Sequence, residues 1–444
     1  MRRIRMWSHW SGGVTAIVVA CALCAGIGVT VAAAARSSKG SDKPKPAAPV
    51  VDRARAQRAR LVAAVHVTPQ SGATGVALDT SVAVQTTAGR LTSVRAVSLS
   101  GVPISGTMTR GRTSWRSNRP LLAGTTYQVT STVVRAGVTA QSISTFRTLT
   151  PAATVTDTLF PGPGLDVGVA QPVVVRFDHD IENPLSRAAA LTHFTVNETA
   201  PVAGGWHWFS NHELHFRPQS FWPPGEKVTV VSDLAGWSAG NGLWGDGTNL
   251  TQFTVGDARI SVANLATDQM TVTDNGRTVA TYPFSGGRDQ YPTMNGLHIV
   301  MDRQSVVRMI SSTNGIPVNS PDGYDELVYS DVHISDSGEY VHAAPWSVAS
   351  QGHRNVSHGC INLSPTDAFT FYGFSRVGDV VWVVGGPRPP AFGDHGVMDW
   401  DTPWNEWTPG VVHRDGPPPR PAPRVVPARR RAKAAVRPRP RPRP

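Results

Sequence analysis

Hydrophobic and polar positions alternate in short runs along most of the chain. Val65-His66-Val67-Thr68, Ser81-Val82-Ala83-Val84-Gln85, Ala96-Val97-Ser98-Leu99-Ser100 and Tyr127-Gln128-Val129-Thr130-Ser131 all carry this pattern. A period of two belongs to a strand with one face buried. Gly and Pro punctuate the runs, so the pattern predicts a β-sandwich over 61–150. Residues 120–129, followed by Ser144-Thr145-Phe146-Arg147-Thr148, resemble residues 221–230, followed by Thr251-Gln252-Phe253-Thr254-Val255. This short internal repeat predicts a second sandwich over 151–256.

A third region starts near Asp257. Residues 270–280 read as a hairpin with Asn275-Gly276 at its turn. Further strands are expected at Leu297-His298-Ile299-Val300-Met301 and Val380-Val381-Trp382-Val383-Val384. One helix stands out, with Ser364 as N-cap, Pro365 at the first position and Asp367 at the third, running to about Ser375. The region 257–386 is therefore β-rich, with a helix just after Cys360. Trp400, Trp404 and Trp407 lie in 387–415, at spacings that suit one face of a helical turn. Packing back onto the preceding domains is expected of them, with sugar stacking as the alternative. Residues 36–60, with Lys43-Pro44-Lys45-Pro46 and Arg-Ala repeats, read as a linker.

Length changes the picture little: 444 residues suit two to four domains. Charge changes it more. Residues 416–444 hold nine Arg and one Lys with no acid, and residues 1–60 hold eleven Lys/Arg against two Asp. Together these ends exceed the net charge of +11, so residues 61–415 are acidic. A nucleic-acid-binding fold would carry its basic patch on the folded part, so nucleic acid is excluded as a partner. The Arg/Pro tail reads as a disordered cationic segment suited to anionic surfaces.

Arg2, Arg3 and Arg5 precede an uncharged run of 24 residues, 12–35. It is long enough for a membrane anchor with its basic flank inside. A cleaved signal and a lipidated Cys21 are the other readings. Each places the rest of the chain outside the cytoplasm, and the expectation is a membrane-anchored protein facing the cell wall.

Cys360 is the one cysteine beyond that run, so it has no partner for a disulfide there. It sits within Ser357-His358-Gly359-Cys360-Ile361-Asn362, upstream of a helix start whose backbone N–H groups favour a thiolate and a developing oxyanion. His342 and His358 are near enough to serve as its base. A zinc site from His342, His358 and Cys360 is chemically possible but shows no fourth ligand, and an inert buried thiol is the plain alternative.

His342, then fourteen intervening residues, then Ser357-His358-Gly359-Cys360-Ile361-Asn362, resembles the signature of the L,D-transpeptidase (YkuD-like) catalytic domain. Thr293-Met294-Asn295-Gly296, residues 315–324 and residues 341–347 resemble the versions that carry two immunoglobulin-like domains in front. The likeness covers roughly 61–410 and includes the Trp-rich subdomain 387–415. It implies a mainly β protein: two Ig-like sandwiches, then a catalytic domain at 257–386.

The resemblance also implies roles. Cys360 would attack the carbonyl before the terminal D-Ala of a peptidoglycan tetrapeptide stem, and His342 would be the general base. The N–H groups of Gly359 and Cys360 would form the oxyanion hole. Tyr324 would be a lid residue. Ser337 and Gly338 would contact substrate, Asn362 and Ser357 would hold the thiol loop and substrate, and His358 would position rather than abstract. The acceptor would be the side-chain amine of a neighbouring stem's diamino acid, giving a 3→3 cross-link, and carbapenems would acylate Cys360. Water as acceptor would make the protein an L,D-carboxypeptidase, and an idle thiol would leave a wall-binding scaffold. No cofactor is implied. Residues 238–242 lack the carboxylates of a calcium site, so no metal is expected. Ala343 stands where relatives often have Ser, and it suffices only if His342 is oriented by a backbone carbonyl.

Overall fold

The computed structural model describes residues 50–391 and 393–408. The Arg/Pro tail lies outside them. The expected membrane anchor is corrected: among the described residues no helix is long and apolar enough to cross a membrane. The run at 12–35 lies outside the described residues.

A second correction concerns the linker. From Val50 the chain is a helix, Val50–Ala63, rather than irregular chain. Its Ala, Arg and Gln residues are strong helix formers, and Leu61 anchors it by packing against Val133 and Ala140. Arg-Ala repeats without an apolar stripe hid this element, because one buried leucine suffices to hold it.

Two sandwiches follow. In the first, strands Val65–Thr68, Ala83–Thr86, Ser114–Ser117 and Gly106–Met108 form one sheet. It faces Pro103–Ile104, Arg90–Ser98, Thr126–Arg135 and Val138–Arg147. Thr126–Arg135 alternates partly exposed and buried residues along most of its length, as its sequence pattern requires. Val84, Leu91, Trp115, Tyr127, Val129 and Phe146 fill the core.

The second sandwich sets Asp157–Phe160, Val173–Phe177, Glu213–Pro218 and Gly204–Trp208 against Asp166–Val167, Thr248–Val255, Lys227–Asp233 and Phe194–Glu198. The internal repeat has a structural counterpart. Tyr127 pairs with Phe146 on the neighbouring strand of one sheet of the first sandwich, and Val228 pairs with Phe253 at the equivalent register of the second.

Glu213–Pro218 breaks the alternation, for all six of its residues are buried. Leu214 and Phe216 enter the sandwich core. The opposite face, Glu213, His215 and Arg217, is covered by the C-terminal segment. There the Arg217 guanidinium lies 4.8, 5.1 and 4.6 Å from the ring centres of Trp400, Trp404 and Trp407. These tryptophans occupy two one-turn helices, Met398–Asp401 and Trp404–Trp407, rather than one face of a single turn. Pro403 precedes the second and has no N–H to continue the first. Trp400 and Trp407 donate their indole N–H to Ala170 and Gly205 carbonyls of the second sandwich, which accords with packing rather than sugar stacking.

The region from Asp257 builds two sheets. Arg277–Pro283, Gln269–Asp274, Arg259–Asn264, Val380–Val384 and Gly296–Ile299 form the first. Asn275 and Gly276 both have positive φ at the expected hairpin turn. Asp302–Ile310, Asp325–Ser335, Glu339–Ala343 and Ile361–Leu363 form the second. Val300, Val341, Ile361, Leu363, Phe371 and Val383 fill the core between them. The helix Pro365–Phe374 is capped as expected, the Ser364 hydroxyl accepting the Asp367 N–H at 3.2 Å.

This region docks closely on the second sandwich. Gly168 donates its N–H to the Val377 carbonyl at 2.7 Å and Ala170 donates to Gly378 at 3.0 Å. A Cβ on Gly168 would fall 2.1 Å from the Gly378 carbonyl carbon, so only glycine permits this approach.

Candidate functional site

The site is assembled by one parallel strand pair. Glu339–Ala343 runs beside Ile361–Leu363 with His342 opposite Asn362. Parallel neighbours need a crossover, and residues 344–360 supply it, so Cys360 emerges one position before its strand, near His342. A cavity of about 240 Å³ is lined by Cys360, His342, Ser357, His358, Tyr324 and Asn362. Six of the nine residues singled out in the sequence thus meet there. Gly338 touches the thiol from beneath, its carbonyl 3.7 Å from Cys360 Sγ. Ser337 donates its N–H to Asp394 at 3.1 Å instead of lining the cavity.

His342 is buried, and the missing hydroxyl at Ala343 costs it no partner. Its Nδ1 lies 3.1 Å from the Ala343 carbonyl. A carbonyl only accepts, so Nδ1 carries the proton and Nε2 keeps its lone pair. Burial lowers the His342 pKa to about 4, which keeps the imidazole neutral. Burial likewise pushes the Cys360 thiol up to about 12, and the Glu339 and Asp331 carboxylates add to the rise. The resting pair is a thiol and an imidazole. The sequence reading of a thiolate favoured by the helix start is therefore corrected. The strand Ile361–Leu363 and the Ser364 cap separate Cys360 from the first helical residue, and the helix field fades within a turn.

The thiol loop is held from three sides. Thr293 donates its hydroxyl to the Gly359 carbonyl at 2.7 Å, and Ser357 donates to the Cys360 carbonyl at 2.6 Å. The Gly359 N–H donates to Ser357 Oγ at 3.0 Å. The expected use of that N–H in an oxyanion hole is corrected, since its own loop takes it. Gly359 serves instead through a φ of +136°, which a side chain would strain.

His358 accepts from Arg288 Nη2 at 2.9 Å and packs against Tyr291 and Tyr324, with ring centres 5.0 and 4.9 Å away. Burial and the Arg288 charge lower its pKa. Burial raises the Tyr324 pKa, so its hydroxyl stays protonated. Asn362 donates its amide N–H to Ser347 Oγ at 3.3 Å.

Sequence reasoning missed Met309, Glu326 and Trp346, which also line the cavity. Met309 and Glu326 arrive through strand register, paired across Asp302–Ile310 and Asp325–Ser335. Nothing local marks them. Trp346 had a signal, because it lies four residues after His342 in the 341–347 motif.

Two family models match parts of the chain. Residues 258–383 match the family described as the L,D-transpeptidase catalytic domain, and residues 73–238 match the bacterial Ig domain. L,D-transpeptidase 2 of Mycobacterium tuberculosis is 39% identical over 353 residues, 79% of this chain and 85% of that one. L,D-transpeptidase 5 of the same species is 29% identical over 393 residues, 85% of this chain and 80% of that one. A solved L,D-transpeptidase in complex with imipenem is 36% identical, covers 53% of this chain and 100% of its own, and superposes with a TM-score of 0.47.

Proposed function

From the chain's membership of the L,D-transpeptidase family, a family of cysteine-dependent acyltransferases, we propose that it forms 3→3 cross-links between peptidoglycan stem peptides. The supporting observation is the shared cavity of a neutral thiol at Cys360 and a neutral imidazole at His342 whose Nδ1 is fixed by a carbonyl.

The donor is a tetrapeptide stem. His342 Nε2 takes the Cys360 proton as the sulfur attacks the carbonyl between the third residue and D-Ala. The tetrahedral oxyanion is stabilised by the Cys360 N–H and the Tyr324 hydroxyl. As the C–N bond breaks, His342 returns the proton to the leaving D-Ala nitrogen, leaving a thioester. The side-chain amine of a second stem's diamino acid then attacks that thioester. Its proton passes through His342 back to the departing sulfur, which restores the thiol. Ser357 and Asn362 hold the loop and the substrate, and His358, fixed by Arg288, shapes the wall beside Tyr324. Gly338 sits against the sulfur through its carbonyl, while Ser337 serves its own turn through Asp394.

The domain division that goes with this reading is 61–150 and 151–256 for the Ig-like modules, 257–386 for catalysis and 387–415 for the Trp-rich subdomain. The cationic residues 416–444 are assigned to anionic wall polymers. Deleting them should lower retention on isolated walls at low salt, and unchanged retention would refute that assignment.

The test of the activity is mass spectrometry of products from the full chain and a disaccharide-tetrapeptide. A dimer lacking one D-Ala is expected. A tripeptide monomer alone would mean that water is the acceptor and the enzyme is an L,D-carboxypeptidase. No product would return the thiol to an idle role.

A further inference from the structure

The Cys360 thiol rests on a turn that a distant segment holds in place. Gly338, whose carbonyl lies 3.7 Å from Sγ, closes the turn 335–338 between the strands Asp325–Ser335 and Glu339–Ala343. Within the turn the Gly338 N–H reaches the Ser335 carbonyl at 2.9 Å, and Gly338 has a φ of +85°. Left to itself such a turn has few restraints.

Asp394 supplies them. Its Oδ2 accepts from Ser335 Oγ at 2.7 Å and from the Ser337 N–H at 3.1 Å. Its Oδ1 accepts from the Asp336 N–H at 3.0 Å and from the Gly396 N–H at 3.1 Å. Four donors satisfy the carboxylate, and it is only 6% exposed. Those from Ser335, Ser337 and Asp336 lower its pKa despite burial, so it remains ionised and accepts all four.

The next residue ties the same turn to the second sandwich. His395 Nδ1 contacts the Asp336 carboxylate, while its Nε2 lies 3.5 Å from Glu213. Its ring stacks on Phe209 at 4.1 Å. Glu213 in turn holds His215 at 2.7 Å, and His215 holds Asp399 at 2.8 Å. Asp394 and His395 lie beyond the residues that match the catalytic family. The floor under the thiol is thus fixed by parts of the chain outside the catalytic domain.

We propose that Asp394 is a positioning residue of the reaction: it fixes the 335–338 turn so that Gly338 keeps the Cys360 sulfur and the donor backbone in register. This rests on Cys360 being the nucleophile. Misplacement by an ångström costs as much as 10²-fold in rate, and Asn at 394 has a single acceptor oxygen for donors that now share two.

The experiment compares the full chain with Asp394→Asn and with Ser335→Ala, which removes one donor from the turn side. Imipenem acylation of Cys360 and its alkylation by iodoacetamide are followed by mass. Acylation should fall by roughly tenfold or more in the limiting rate, with the half-saturating imipenem concentration little changed. Alkylation should stay within about twofold, since a small reagent needs no register. Acylation within twofold of the unsubstituted chain overturns the inference. So does a matched fall of both rates in both variants, which would make the turn merely structural. A chain that takes up no imipenem before substitution refutes the nucleophile reading, and this inference with it.

Discussion

The protonation state of Cys360 is the most exposed consequence of the site. A thiol at about 12 rather than 9.0 is ionised at pH 7 in on the order of 10⁻⁵ of molecules, against about 10⁻² for an ordinary one. The causes are burial first, then the Glu339 and Asp331 carboxylates, offset only in part by a hydrogen bond from the Tyr340 backbone. His342 adds no compensating charge, because it is held neutral by the same burial. The assay is alkylation of the full chain by iodoacetamide between pH 6 and 10, read on the peptide that contains Cys360. The rate should climb about tenfold per pH unit across the range, with no plateau. His342→Ala should leave that slope unchanged while lowering imipenem acylation by about 10²–10⁴-fold, the usual loss of a general base. A plateau below pH 9, abolished by His342→Ala, would show a preformed thiolate–imidazolium pair and refute the reasoning.

Three further outcomes follow from single features. Gly359→Ala forces a side chain to a φ of +136° and places its Cβ 3.2 Å from Glu339 Oε1; a loss of about 1–3 kcal/mol in urea titration is expected, and an unchanged midpoint would contradict the strain. Arg217→Met removes the cation shared by three indoles and its bond to the Thr402 carbonyl at 2.9 Å; it should cost about 2 kcal/mol and change the near-UV dichroism, and an unaltered spectrum would show that Trp packing alone holds the segment. His215, between Asp399 and Glu213, is raised from 6.5 to about 9. Its contribution is complete below pH 6.5 and is lost as pH rises through about 9, on the order of 3 kcal/mol. Melting temperature should fall over that window and flatten in His215→Gln; identical profiles would exclude the linkage.

Much of the site was legible because its chemistry is local. Ser357-His358-Gly359-Cys360-Ile361-Asn362 carries the nucleophile, the loop hydroxyl and the special-φ glycine in six residues. The cap at Ser364 and the hairpin turn at Asn275-Gly276 each need only a few neighbours, so their residue types announce them. Alternation likewise gave strands of the first sandwich, and the internal repeat pointed to the second. The helix Val50–Ala63 was not legible, because one leucine buried by distant strands decides it. Glu213–Pro218 reads as a half-exposed strand until the C-terminal tryptophans cover its polar face.

Sequence alone therefore determined the strand pattern, the lone thiol with its histidine, and the family signature. These follow from backbone periodicity and from side-chain chemistry within a few residues. Tertiary structure decided the rest. Strand register brought Met309 and Glu326 to the cavity. Burial set both Cys360 and His342 neutral, against the thiolate that local composition suggested. The carboxylate that steadies the thiol's floor comes from Asp394, 34 residues after the thiol in the chain. Hydrogen bonds and dielectric act through space, and a linear pattern records neither the distance nor the solvent that folding removes.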